Sequence, residues 1–338
     1  MGVYRSVVRP LLFALPPEAA HRLAHGLLGL PLPWERIGRV PDDPRLRVTL
    51  CGIELRNPIG LAAGFDKSCR RLDALGRLGF GYVVGGTVTR HPRAGNPKPR
   101  VARSPRQASM VNAMGLPNPG ADAVARTLAT GARTAPRFVS IADQDVPDAL
   151  ATHALLEPHA DAIELNASCP NVSWGRDRDN EAHLDRLLRE LGARRTKPLL
   201  VKLPPFRTRV EREVVTALAR IARDAGADGL TCSNTRPVRD PRLATGAGGL
   251  SGRALFADTP RIVEEIRRAT ERALPVNACG GIATAADALA CIEAGATTVQ
   301  VFTAMVYRGP RVVAEIASGL ADTLRLRRTE MGALVGPA

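Results

Sequence analysis

The stretch Asp161–Val172 reads DAIELNASCPNV. Ala162–Leu165 alternates small and apolar residues, and the chain then turns abruptly into Asn166, Ser168, Cys169, Pro170 and Asn171. The first half has the pattern of a short buried strand. The second half sets two carboxamides, a hydroxyl and a thiol where the chain leaves that strand, with Pro170 stiffening the turn. A thiol with a lowered pKa is a competent base or nucleophile, and amides beside it can both donate to and accept from a planar ring. Taken alone, a polar turn around an inert buried cysteine explains the stretch more simply.

Its weight comes from other segments that end in the same way. AAGFDK ends in Lys67, GGTVT carries Thr87, VSIA carries Ser140, VKLPP offers Lys202, and CSNT offers Ser233, Asn234 and Thr235. NAMGLPNPG adds Asn112 and a Met114–Gly115–Leu116 turn, GAGGLSG adds Ser251 and Gly252, ACGG adds Gly280 and Gly281, and VFTA adds Phe302 and Thr303. Glycine runs let backbone N–H groups approach a phosphate, although turns need glycine for their own reasons. Amides, hydroxyls and two lysines with few carboxylates suit a planar, amide-rich anion and do not suit a divalent metal. Lys202 is also open to a Schiff-base role, as in a barrel aldolase, or to a phosphate-binding isomerase.

Positioning such a set requires alternating strands and helices. Strands are expected at 58–63, 81–86, 137–142, 162–166, 199–203, 229–233, 275–278 and 298–302. Helical patterns lie between them, near 69–78, 120–132, 146–158, 181–195, 210–225, 259–272 and 284–294, with a last helix near 310–327. Eight such units imply a (β/α)8 TIM barrel, an α/β fold whose chemistry sits at the strand C-termini. A doubly wound open sheet is the second choice. Residues 1–46 read as a separate unit of two short amphipathic helices, at 3–15 and 18–30, broken at Pro16–Pro17. Their basic edges suit an anionic membrane surface, and packing on the main domain is the alternative. His21 and His25 are four apart, but no third ligand is visible and no metal is expected.

The chain has 338 residues, 45% hydrophobic, with 47 Lys and Arg against 33 Asp and Glu, a net charge of +14. That balance favours anionic partners, yet the arginines are dispersed and no nucleic-acid module is recognisable. The six cysteines form no CxxC pair, which argues against a zinc ribbon or iron–sulfur cluster. With no signal peptide and no spanning apolar run, the expected location is the cytoplasm with reduced thiols. A non-catalytic membrane-bound interaction protein is the least favoured reading.

The ordered set GLAAGFDK, GTVT, GNPKPR, NAMGLPN, NASCPN, VKLPP, SNT, GGLSGRAL, CGGI and VQVFTA resembles the dihydroorotate dehydrogenase family across residues 57–309. PPEAAHRL resembles the N-terminal extension of its membrane-associated, quinone-dependent class 2. The resemblance implies an N-terminal helical pair over 1–46 and an FMN-binding barrel over 47–338. By position it implies flavin contacts from Ala63, Gly64, Lys67, Thr87, Ser140, Asn166, Lys202, Ser233, Gly252, Gly281, Phe302 and Thr303. It implies contacts to dihydroorotate or orotate from Lys67, Asn112, Met114, Gly115, Leu116, Asn166, Asn171, Asn234 and Thr235. Cys169 becomes the base, a quinone the electron acceptor, and His21 and Arg103 polar positions of the quinone tunnel. The site would then lie peripheral to the inner face of the cell membrane. The chain also departs from the family. Cysteine at 169 is typical of the soluble class 1, Ser140 replaces an asparagine and the ADQ after it lacks a lysine, VSWGRDRDN after Asn171 does not match the family's loop, and Phe302 stands where a tyrosine is common near the quinone. A paralogous flavin oxidoreductase acting on another cyclic amide or enone is the alternative.

Overall fold

The structure is a computed structural model and describes residues 3–143, 145–167 and 180–335. Eight parallel strands follow one another in chain order and close on themselves: β1 (Ile59–Leu61), β2 (Tyr82–Val88), β3 (Arg137–Ile141), β4 (Ala162–Asn166), β5 (Leu199–Leu203), β6 (Gly229–Cys232), β7 (Val276–Cys279) and β8 (Thr298–Val301). Each is followed by a helix on the outside, so the fold is the expected (β/α)8 barrel. The helices form where apolar residues recur at helical spacing. Arg209–Asp224 buries Val215, Leu218, Ala219 and Ala222 along one face and starts at a capping box, Thr208 with Glu211. Burial of Val215 and Leu218 contributes about 1.5–3 kcal/mol each, and the cap about 1 kcal/mol.

The barrel interior departs from the usual filling of branched aliphatics. Tyr82, Glu164, Lys202, Thr231, Asn277, Thr298 and Gln300 are all buried. Register places Asn166 beside Lys202, Lys202 beside Thr231, Thr231 beside Asn277 and Asn277 beside Thr298. The Thr298 hydroxyl donates to Asn277 Oδ1 at 2.5 Å and accepts from the Tyr82 hydroxyl at 3.0 Å. Asn277 Nδ2 donates to the Thr231 hydroxyl at 3.2 Å. Such a chain is tolerable in a core because its members satisfy one another.

Three additions were not expected from the sequence. A hairpin, Val48–Leu50 with Ile53–Leu55, turns at Cys51–Gly52, both left-handed, as a two-residue turn of this kind requires. It lies at the N-terminal end of the barrel, where Cys51 Sγ donates to the Asp228 carbonyl at 3.3 Å. At the C-terminal mouth, Arg236–Arg239, Ala247–Gly252, Ser109–Asn112 and Val101–Ser104 form an antiparallel sheet in that order. The GAGGLSG segment is therefore mostly strand. A short helix, Thr303–Arg308, follows β8 directly.

The N-terminal residues form a wide turn over Tyr4–Val8 continuing into α1 (Arg9–Ala14), and then α2 (Pro17–Leu27). Both helices are clasped to the mouth. The Tyr4 hydroxyl donates to the Val306 carbonyl at 2.7 Å, and Phe13 meets Tyr307 edge-on at 5.3 Å. Arg100 Nε donates to Glu18 at 2.9 Å, and His25 Nε2 meets the buried Asp66 carboxylate at 3.1 Å. Val7, Leu11, Leu23 and Leu27 remain exposed, Leu11 at 68% and Leu23 at 48%. Among the described residues no helix is long and apolar enough to cross a membrane.

Candidate active site

The strand C-termini, the mouth sheet and the two N-terminal helices enclose one cavity of about 2370 Å³. Of the residues expected at the site, Ala63, Gly64, Lys67, Thr87, Asn112, Met114, Gly115, Leu116, Asn166, Lys202, Ser233, Asn234, Thr235, Gly252, Gly281, Phe302 and Thr303 all line it, as do His21 and Arg103. Residues more than two hundred positions apart are thus brought to one surface, which is the geometry a barrel mouth provides. Ser140 differs. It is fully buried one layer below, its hydroxyl paired with that of Thr87 at 3.0 Å, so it supports Thr87 and does not line the cavity. Its serine side chain is shorter than the asparagine that the resemblance would place there. Cys169 and Asn171 lie outside the described residues.

The carboxamides are linked to one another. Asn234 Nδ2 donates to Asn166 Oδ1 at 3.2 Å, Asn166 Nδ2 donates to the Thr87 hydroxyl at 3.3 Å, and Asn234 Oδ1 accepts from the Thr235 N–H at 2.8 Å. Asn112 reaches across the mouth sheet, its Nδ2 donating to the Gly249 carbonyl at 3.4 Å. This fixes which way each amide points before any ligand arrives. The Met114–Gly115–Leu116 turn is left-handed at both Gly115 (φ 73°) and Leu116 (φ 56°). Leucine is rarely found in this conformation, and strain of this sort gathers at binding loops. Gly115 is required, since a Cβ would stand 2.5 Å from Asn96 Oδ1.

A second region is built from backbone. Gly252 (φ 92°) and Gly281 (φ 73°) are left-handed and face each other: a Cβ on Gly281 would lie 2.8 Å from the Gly252 carbonyl and 2.7 Å from the Phe256 nitrogen. The hydroxyls of Ser251 and Thr303 meet beside them at 3.0 Å. A concave, side-chain-free surface with hydroxyls at its rim suits a phosphate.

The two lysines differ electrostatically. Lys67 donates to the Gly64 carbonyl, and burial, opposed in part by Asp66, brings its pKa down to about 8. Lys202 Nζ lies 3.6 Å from the buried Glu164 carboxylate. Burial alone would lower Lys202, but Glu164 and then Cys279 outweigh it, and its pKa rises. Toward the helices, His21 packs edge-on against Phe65 at 5.4 Å, and Phe65 against Phe302 at 5.5 Å. Burial, reinforced by Lys67 and His25, lowers His21 to about 4, so it is neutral at pH 7. Arg103 stacks on Phe13 at 4.5 Å and donates to the Leu12 carbonyl at 3.1 Å, so it caps the end of α1 as well as lining the cavity. His25 is committed to Asp66, and its ring centroid stands 5.9 Å from that of His21. Glu164, Gln300 and Cys279 were not singled out by the sequence. Glu164 had a signal, because in ELN it is two residues before Asn166 and so faces the same way.

Comparison with known proteins places these features in a family. The family model described as dihydroorotate dehydrogenase matches residues 45–324. A protein of Rhodopseudomonas palustris (strain TIE-1) named dihydroorotate dehydrogenase (quinone) is 40% identical, with 98% of this chain and 95% of that protein aligned. One of the same name from Roseiflexus sp. (strain RS-1) is 39% identical over 95% and 94%. Among solved structures, a DHODH from Eimeria tenella in complex with ferulenol superposes with a TM-score of 0.82 at 28% identity, covering 96% of this chain and 98% of that one.

Proposed function

Because this chain belongs to the dihydroorotate dehydrogenase family, we propose that it oxidises dihydroorotate to orotate with FMN held at the barrel mouth, and that a quinone takes the electrons. The observation that carries this reading is the convergence of Lys67, Asn112, Asn166 and Asn234 on a cavity that continues beneath α1 and α2.

The residues present fit a flavin mononucleotide. Gly252 and Gly281 line the cavity with backbone alone, both at positive φ, so no side chain of theirs stands in the way of a phosphate. Thr87, Asn166 and Ser233 offer hydrogen-bonding groups along the strand ends, and Lys202 a buried cation. Bound FMN supplies the acceptor for the hydride that leaves C6 of the substrate.

The chain's own part follows from charge and geometry. Lys67, cationic below about pH 8, pairs with the substrate carboxylate. Asn112, Asn166 and Asn234, with Asn171, present donors and acceptors to a ring edge on which N–H and C=O alternate. The hydrogen bonds already joining Asn166, Asn234 and Thr87 hold two of these amides in place, which lowers the ordering cost of binding. We assign removal of the C5 proton to the Cys169 thiolate.

Beneath the helices the wall becomes Phe65, Phe302 and neutral His21, with Arg103 stacked on Phe13 nearby, an apolar surface with polar groups set into it, which suits a quinone. The exposed apolar residues of α1 and α2 fit a lipid surface from which such an acceptor would enter, and we read 1–46 as that element and 47–338 as the barrel domain. The test is anaerobic addition of dihydroorotate to the purified protein. Bleaching of a bound flavin is expected; a yellow protein that does not bleach excludes this substrate, and a colourless one excludes the cofactor.

A further inference from the structure

Glu164 is buried inside the barrel, on the layer beneath the cavity floor. Its Oε2 accepts from the Thr231 hydroxyl at 2.8 Å and from Gln300 Nε2 at 3.3 Å, which points Oε1 at Lys202 Nζ, 3.6 Å away. Thr231 is itself fixed by Asn277, and Asn277 by Thr298. Four strands thus hold one carboxylate in one orientation, and its remaining oxygen meets the one lysine that rises from the floor of the site. A carboxylate so deep is costly unless it is paired and fully hydrogen-bonded, and none of the steps above uses it.

From this arrangement we infer that Glu164 is a positioning residue: it keeps Lys202 cationic and aimed into the cavity, where the flavin reading places the ring. This inference rests on that reading for its purpose, though not for its test. Lys67 is the internal comparison. It lines the same cavity with no carboxylate of the described residues so close to its ammonium, and burial brings it down to about 8, whereas Lys202 is held above the ordinary lysine value. The other titratable groups facing the pair are Cys279 from β7 and Tyr82 from β2. Burial pushes both upward, so both are neutral near pH 7. Near neutral pH Glu164 is therefore the charged group beside Lys202, and Cys279 adds to its effect only where its own thiol ionises at higher pH.

The test is 13C NMR of protein labelled at the lysine Cε, with the Lys202 resonance assigned by its loss in Lys202→Met. It is titrated from pH 6 to 11, with and without added FMN. In the unsubstituted protein Lys202 is expected to stay protonated beyond pH 10. In Glu164→Gln its hold on the proton is expected to weaken roughly a hundredfold, as burial acts unopposed. The midpoint potential of bound flavin in that variant then acquires a pH-dependent step, which is absent from Glu164→Gln/Lys202→Met. A Lys202 titration unchanged by Glu164→Gln overturns the inference, as does deprotonation near pH 8 in the unsubstituted protein. If Glu164→Gln does not fold while the double variant does, the inference is supported, since only the single change leaves an uncompensated buried charge. A protein that binds no flavin refutes the cofactor reading, and the lysine titration still decides the role of Glu164.

Discussion

Gly281 provides the sharpest test of the phosphate cradle. Replacing it with alanine adds one methyl group, at φ 73°, 2.7 Å from the Phe256 nitrogen, 2.8 Å from the Gly252 carbonyl and 2.9 Å from the Phe256 Cβ. The left-handed conformation costs an alanine about 1–2 kcal/mol. Relieving contacts with backbone atoms, which cannot rotate away, costs about 1–3 kcal/mol more. Any relaxation must move Phe256 or Gly252, and Gly252 is the other half of the cradle. The left-handed cost is carried with or without ligand and appears as lost stability, whereas the displacement of Gly252 or Phe256 appears as lost affinity for FMN. That second part, about 1–3 kcal/mol, corresponds to a Kd weakened roughly 5- to 150-fold.

Gly226 is the matched control. It is also left-handed, at φ 82°, with no heavy atom within 4 Å of an added Cβ, and it sits in the turn leading into β6 at the opposite end of the barrel. Gly226→Ala should lose about 1–2 kcal/mol of stability and bind FMN as before. Titrating apo protein with FMN, read by quenching of flavin fluorescence, measures the affinity; thermal melting measures the stability. A Gly281→Ala protein whose Kd stays within about threefold of the parent would refute the cradle.

Other expectations follow from the same geometry. Cys169→Ala should keep bound flavin and lose flavin reduction by about 10²–10⁴-fold in anaerobic stopped flow; near-normal reduction would remove Cys169 as the base. Orotate affinity should be flat below about pH 8 and fall about tenfold per pH unit above it, because Lys67 is held at about 8 and only its protonated form pairs with the carboxylate. Spectral titration of bound flavin with orotate checks this, and a slope that persists in Lys67→Met would assign it elsewhere. Truncation of residues 1–30 removes the Glu18–Arg100 and His25–Asp66 clasps together with the Phe13–Tyr307 contact. It should slow turnover with a quinone at least tenfold while flavin reduction by dihydroorotate stays within about threefold; equal losses in both rates would make the helices merely structural.

The barrel was legible because its strands are short buried runs between amphipathic helices with their own start signals. Ala162–Asn166 and Leu199–Leu203 occur where the pattern placed them, and the other six barrel strands differ only at their ends. Periodicity reports which face is buried, and in an eight-unit barrel that suffices to order the elements. The mouth sheet was not legible for the converse reason. Ser109–Asn112 pairs with Val101–Ser104 on one side and with Ala247–Gly252, more than 130 residues away, on the other, and nothing local in a glycine-rich segment announces a distant partner.

The site divides along the same line. Lys67, Asn166, Lys202 and Asn234 were legible because each follows an apolar run and ends it, so their position on the mouth follows from the strand itself. Ser140 sits near such an end too, but its register with Glu164 puts it one layer below the mouth, where its hydroxyl meets that of Thr87, so depth along the strand decides between lining the cavity and supporting it. Glu164 shows the opposite error. A charged residue inside AIELN looks like the solvent face of a half-buried strand, but both faces of a barrel strand are covered. The physical requirement that a charge enclosed on both sides must find its counter-charge within the barrel leads from Glu164 to an inward-facing cation, and Lys202, paired in register with Asn166 two residues beyond it, is where that requirement is met.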